Sequence, residues 1–111
     1  MKPKHRIREG GVFRRVFTKG RRSEFRYLRI IFLKNSLGLA RISVVIPKAV
    51  DKRAVVRNKL RRRILEWIRI RSAVLNLPID LIMVLKKGAA SVARKELYEE
   101  LDRAVNPLGR I

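Results

Sequence analysis

Apolar side chains recur along this chain at two intervals, and the interval marks the elements. In GVFRRVFTK, residues 11–19, Val12 pairs with Val16 and Phe13 with Phe17 at i,i+4, the spacing of one helical face. Gly20 supplies the stop. Residues 25–33, FRYLRIIFL, are aromatic and β-branched as a strand requires, and NSLG at 35–38 is a turn into a second strand, LARISVVI. Pro47 ends that strand, and Asp51 is placed to cap a helix from about Lys52 to Arg71. After the turn NLPID, the near-continuous apolar run IDLIMVLKKG predicts a buried strand closed by Gly88. Ser91 is placed to cap a last helix, where Leu97, Leu101, Ala104 and Val105 repeat at helical spacing beside an acidic face. Short helix, two strands, long helix, strand, helix is the order of a two-layer α+β sandwich with one βαβ crossover around the long helix.

The long helix has the most informative pattern. At roughly 100° per residue, Val56, Leu60, Ile64, Trp67 and Ile68 share one stripe, which is the buried one. Arg57, Asn58, Arg61, Arg62 and Arg69 form an adjoining basic stripe, interrupted by Leu65. A solvated face is the ordinary reading of such a charge run. Here Arg53 with Arg57 and Arg57 with Arg61 repel at i,i+4, and only Arg62 with Glu66 offers an internal partner at that spacing. The positive N-terminal end of the helix makes Lys52, Arg53 and Arg57 costlier still unless an anion sits there. A phosphate backbone relieves all of these repulsions together, and Asn58 is a polar member able to bond phosphate, base edge or hydrated metal.

Composition extends that reading to the whole chain. The 29 Lys+Arg against 9 Asp+Glu give a net charge of +20. Residues 91–111 hold four of each sign, so the excess sits in residues 1–90. Nineteen of the cations are arginine, whose planar fork grips phosphate in two places. A hydrophobic fraction of 47% argues for a folded domain rather than a basic tail. Nucleic acid is the partner this predicts; an anionic membrane surface is the competing one, disfavoured by 6% aromatic content and by the core seam beside the basic stripe.

With 111 residues and no internal repeat, residues 1–111 read as a single domain whose first eight or so residues are flexible. The absence of cysteine fits a reducing cytoplasm and excludes thiol catalysis and Cys-ligated metal. MKPKHRIREGG lacks an apolar leader core, and no run approaches the ~20 apolar residues of a membrane span. The sole histidine, His5, lies in the basic lead-in, and the acids do not converge, so no catalytic residue and no metal ligand set is assigned.

AVVRNKLRRRILE, residues 54–66, resembles the RNR motif of the bacterial ribonuclease P protein component, with Lys59 where the motif usually has arginine. RIREGGVFRRVFTKGRR, ARISVVIPK and DLIMVLKKG resemble the segments that flank it, so the likeness covers nearly the whole chain. The resemblance implies a fold like the second domain of ribosomal protein S5, with a left-handed βαβ crossover; general chirality alone would favour the right-handed form at about 98%. It also implies a protein monomer within a cytoplasmic ribonucleoprotein, bound to ribonuclease P RNA and precursor tRNA, with Mg²⁺ held mainly by the RNA and cleavage carried out by the RNA. Arg53, Arg57, Asn58, Lys59, Arg61, Arg62 and Arg69 are then the RNA-binding residues, with Asn58 a candidate for indirect metal contact. Phe13, Phe17, Arg41 and Lys48 line a cleft for the 5′ leader, the two phenylalanines having simple core packing as their alternative role. The competing function is a structural ribosomal RNA-binding protein.

Overall fold

The computed structural model describes residues 2–110. A 3₁₀ turn, Pro3–His5, leads into α1 (Gly10–Lys19), β1 (Arg21–Glu24), β2 (Leu28–Lys34) and β3 (Arg41–Val45). Then follow α2 (Ala54–Ile70), the short α3 (Ser72–Leu75), β4 (Ile79–Leu85), α4 (Arg94–Val105) and a closing 3₁₀ turn, Asn106–Arg110. The strands form one sheet in the order β1-β2-β4-β3. β2 runs antiparallel to both β1 and β4, whereas β3 and β4 are parallel, so β3–α2–β4 is the expected βαβ unit.

Alternation along the strands divides the side chains between two faces. Leu28, Ile30, Phe32, Ile42, Val44, Leu81, Met83 and Leu85 point to the main core, where Leu60, Ile64, Trp67 and Ile68 of α2 and Leu97, Leu101, Ala104 and Val105 of α4 meet them. The helical stripes read from spacing are therefore the buried ones, except that Val56, in the first turn of α2, is only partly buried. On the opposite face α1 lays Val16 against Ile31 and Ile82, with Val12, Phe13, Leu33, Val45 and Val84 partly buried around them. The end of α1 lies so close to β2 that a Cβ at Gly20 would stand 2.8 Å from the Phe32 carbonyl oxygen and 2.9 Å from the Ile31 side chain.

Several expectations change on folding. β1, RRSE, carries no apolar alternation because it is an exposed edge strand, and charge is what such an edge uses against unwanted pairing. Asp51 does not cap α2: the N-cap is Arg53, whose N–H and guanidinium Asp51 accepts. Ser91 does not cap α4 either; its hydroxyl donates to the Gly88 carbonyl, and Ala93 is the N-cap. Gly88 does close β4, at φ +97°, with Tyr27 packed 3.4 Å from where a Cβ would be. Glu100, expected on the acidic solvent face of α4, is only 3% exposed and accepts the backbone N–H groups of Arg26 and Tyr27 at 3.0 and 2.7 Å. In the lead-in read as flexible, Met1 lies outside the described residues, while His5 is buried and its Nδ1 donates to the Ala40 carbonyl at 2.8 Å. Arg6 bridges to Ile42 beyond it, so the segment covers part of the open edge of β3.

Candidate nucleic-acid interface

The seven candidate residues of α2 and its approach fall into three groups. Arg53 and Arg69 have carboxylate partners: Arg53 meets Asp51 at 3.0 Å, and Arg69 meets Glu66 at 2.5 Å. Glu66 thus serves Arg69 at i,i+3 rather than Arg62 at i,i+4, as the spacing had suggested. Arg57 and Arg61 are held by carbonyl oxygens, which fix a guanidinium without cancelling its charge. Arg57 Nη1 donates to the carbonyls of Asp51 and Lys52 at 2.9 and 2.8 Å, and Arg61 Nη1 donates to Val44 at 2.6 Å, across the free edge of β3. Asn58, Lys59 and Arg62 are exposed and have no carboxylate partner among the described residues. Two oriented guanidiniums beside three free polar side chains make a surface that lacks its counter-charge.

The guanidinium and backbone N–H of Arg53 hold the Asp51 carboxyl down to about 2 from its ordinary 3.8. A folded value below the unfolded one means the ionised pair contributes stability above about 3.8, which is lost as pH falls through about 2. A carboxyl-carbon NMR titration should therefore place the Asp51 midpoint near 2, and Arg53→Gln should return it toward 3.8. An unshifted midpoint in the unaltered chain would remove the pair.

The second face of the sheet presents three cross-strand rows in register: Glu24, Arg29, Val84 and Val45; Arg22, Ile31, Ile82 and Ser43; Leu33, Asp80 and Arg41. α1 covers only part of it. Phe13 and Phe17 stack with centroids 6.1 Å apart and planes 15° from parallel. Their roles separate: Phe13 packs into the small core, whereas Phe17 is 37% exposed. The Arg22 guanidinium lies 4.7 Å from the Phe17 ring centroid and donates to the Phe17 carbonyl at 2.6 Å. Arg22 escaped the sequence reading because its strand has no apolar signal. Arg41 is less available than its position suggests: Nε and Nη2 grip fully buried Asp80 at 2.7 and 2.8 Å, which raises the Arg41 pKa. The signal for that pair was legible, since a carboxylate opening an apolar strand needs a cation. Lys48 is exposed just past β3.

A sheet backed by two helices, faced by an exposed aromatic and bordered by a cationic helix with too few acids to neutralise it, defines a basic α+β domain built to hold a polyanion. Comparison with known proteins makes this specific. The family model for ribonuclease P matches residues 1–109. The ribonuclease P protein component of Coxiella burnetii is 34% identical over 106 residues, covering 95% of this chain and 86% of that one. That of Syntrophobacter fumaroxidans is 30% identical, covering 90% and 84%. The solved ribonuclease P protein of Thermotoga maritima superposes with a TM-score of 0.79 at 26% identity, covering 96% of each chain. The Staphylococcus aureus protein gives 0.82 at 22% identity, also over 96% of each. The chain belongs to the family of bacterial ribonuclease P protein components, subunits of the ribonucleoprotein that processes tRNA 5′ ends. A structural ribosomal protein is not favoured, and no described helix is long and apolar enough to cross a membrane.

Proposed function

We propose that α2 grips ribonuclease P RNA through Arg57, Asn58, Lys59, Arg61 and Arg62 while the second sheet face receives the 5′ leader of precursor tRNA. The observation that carries the leader assignment is Phe17, a large aromatic left exposed beside an oriented guanidinium, where an unpaired base can stack and its phosphate can pair. Arg41 contributes less charge there than a free arginine would, and Lys48 adds an exposed cation at the border.

Cleavage belongs to the RNA, with Mg²⁺ held by its phosphates. The most buried acids have other partners: Asp80 holds Arg41, and Glu100 the Arg26–Tyr27 backbone. The exposed amide of Asn58 reaches a hydrated ion through water. The protein acts as a monomer in the cytoplasm, and its share of the reaction is binding and orientation.

Reconstitution with a bacterial ribonuclease P RNA at low magnesium tests this reading. The protein should stimulate precursor cleavage. Phe17→Ala should weaken binding of leader-bearing precursor about 10-fold, in keeping with ~1 to 3 kcal/mol per stacked base. Binding of mature tRNA and the melting temperature should not change. A protein that binds the RNA without stimulating cleavage would return the ribosomal reading to favour.

A further inference from the structure

α2 carries cations on both flanks of its buried stripe. Taking Arg57 as zero and ~100° per residue, Lys59, Arg62, Arg63 and Glu66 lie at roughly 140° to 240°, on the side that faces α4. There the two helices border a cleft of about 420 Å³ lined by Lys59, Arg62, Arg63, Glu66, Arg94 and Tyr98. The Tyr98 hydroxyl donates to the Arg63 carbonyl at 3.3 Å and ties α4 to α2.

Charge in this cleft is unbalanced. Four cations face one carboxylate, and that carboxylate, Glu66, already accepts two bonds from Arg69. The Arg63 Nε is buried without a hydrogen-bond partner, an expensive state for a charged donor. Arg94 opens α4, where the helix dipole opposes a cation, and Ala93 brings no side-chain cap. An anion in the cleft would relieve all three. The large hydrophobic side chains that are exposed, Phe17, Leu37, Val55 and Ile70, do not line it, so the cleft has no apolar anchor for a lipid surface.

We propose that this cleft binds a phosphodiester of a folded RNA through Arg63 and Arg94, on the side of α2 opposite the β3 edge, so that RNA holds the helix from two directions. The inference rests on the reading of the chain as an RNA-binding subunit. It extends the interface onto α4, whose three basic and four acidic residues leave it net acidic and without a basic stripe.

Binding of a bacterial ribonuclease P RNA to the full chain between 50 and 200 mM salt, with melting of the free protein measured alongside, provides the test. Arg94→Gln should weaken binding several-fold and lower the slope of log affinity against log salt by about 1. Arg94→Glu should weaken it further while raising the melting temperature, because a carboxylate there pairs with Arg63 and suits the helix end. The preference for leader-bearing precursor over mature tRNA should stay the same in both. Wild-type affinity and slope in Arg94→Glu would overturn the proposal, as would a loss confined to binding of anionic phospholipid vesicles. Failure of the unaltered chain to bind the RNA would bring down the subunit reading itself, and the cleft with it.

Discussion

Raising salt from 50 to 200 mM is expected to weaken the complex with ribonuclease P RNA by roughly 10³ to 10⁵ in affinity, the loss that follows when ~6 to 10 phosphates are neutralised by protein cations. The number of contacts follows from the surface. The net charge is +20, and most of the candidate cations on α2 keep their charge after folding. Arg57 and Arg61 spend hydrogen bonds on carbonyls and so are aimed without being neutralised; Lys59 and Arg62 reach solvent unpaired, since the nearby Glu66 is taken by Arg69. Each phosphate that replaces a counterion adds to the salt slope, and steering by the same field speeds encounter at low salt. Equilibrium titration across the salt series measures the slope. A fall of less than about ten-fold would mean that very few phosphates are held, and the cationic ridge would lose its assigned role.

Asp80→Ala should destabilise the free protein by about 3 to 5 kcal/mol, the cost typical of removing one partner of a buried charge pair. Asp80 is fully buried and receives two bonds from Arg41 and one from Asn35 Nδ2 at 2.9 Å. Without it a half-buried guanidinium and a side-chain amide lose their acceptor at the start of the parallel pair of edge strand β3 and central strand β4. Partial exposure of Arg41, at 22%, puts the expectation toward the lower end of that range. Urea unfolding followed by circular dichroism gives the difference. The double change Arg41→Met with Asp80→Leu should recover much of the loss, since a well-packed apolar pair often equals a buried ion pair. A loss under about 1 kcal/mol in Asp80→Ala would show that Arg41 simply turns to water.

The two effects separate cations that serve the fold from those that serve the partner. Arg41 and Arg22 sit on the same sheet face and are both arginines in basic surroundings. One is locked to a buried carboxylate, and the other lies on an exposed ring. Arg61 belongs partly to each class: its bond to Val44 covers a free carbonyl of edge strand β3 while its charge stays available. Arg61→Ala is thus expected to lower RNA affinity and stability together, whereas Arg62→Ala, at an exposed residue without an acid partner, is expected to lower binding alone.

Elements whose signal is periodic burial were legible before folding. The α2 stripe Leu60, Ile64, Trp67 and Ile68 is buried, as is the β4 run from Ile79 to Met83, because one-sided burial forces apolar residues to recur at the period of the helix or strand. β1 was not legible, since an exposed edge strand buries nothing that would leave a pattern. The caps assigned to Asp51 and Ser91 had the right residue types in the right neighbourhood. Each hydroxyl or carboxylate instead bonds within its own turn, an alternative always open to short polar side chains.

From the residues alone came the order of most elements, the amphipathic cationic helix, the excess of +20 and the family. These depend on composition and on intervals of two to four residues, which a linear chain displays directly. Tertiary structure decided which cations remain free for a partner. Asp80 reaches Arg41 across 39 positions through the parallel register of β3 and β4, Glu100 reaches the Arg26–Tyr27 turn across more than 70, and Arg94 joins Arg63 only because α4 packs on α2. Charge neutralisation falls steeply with distance in space and is indifferent to distance along the chain. The total charge is therefore a property of the sequence, and its partition between self and partner is a property of the fold.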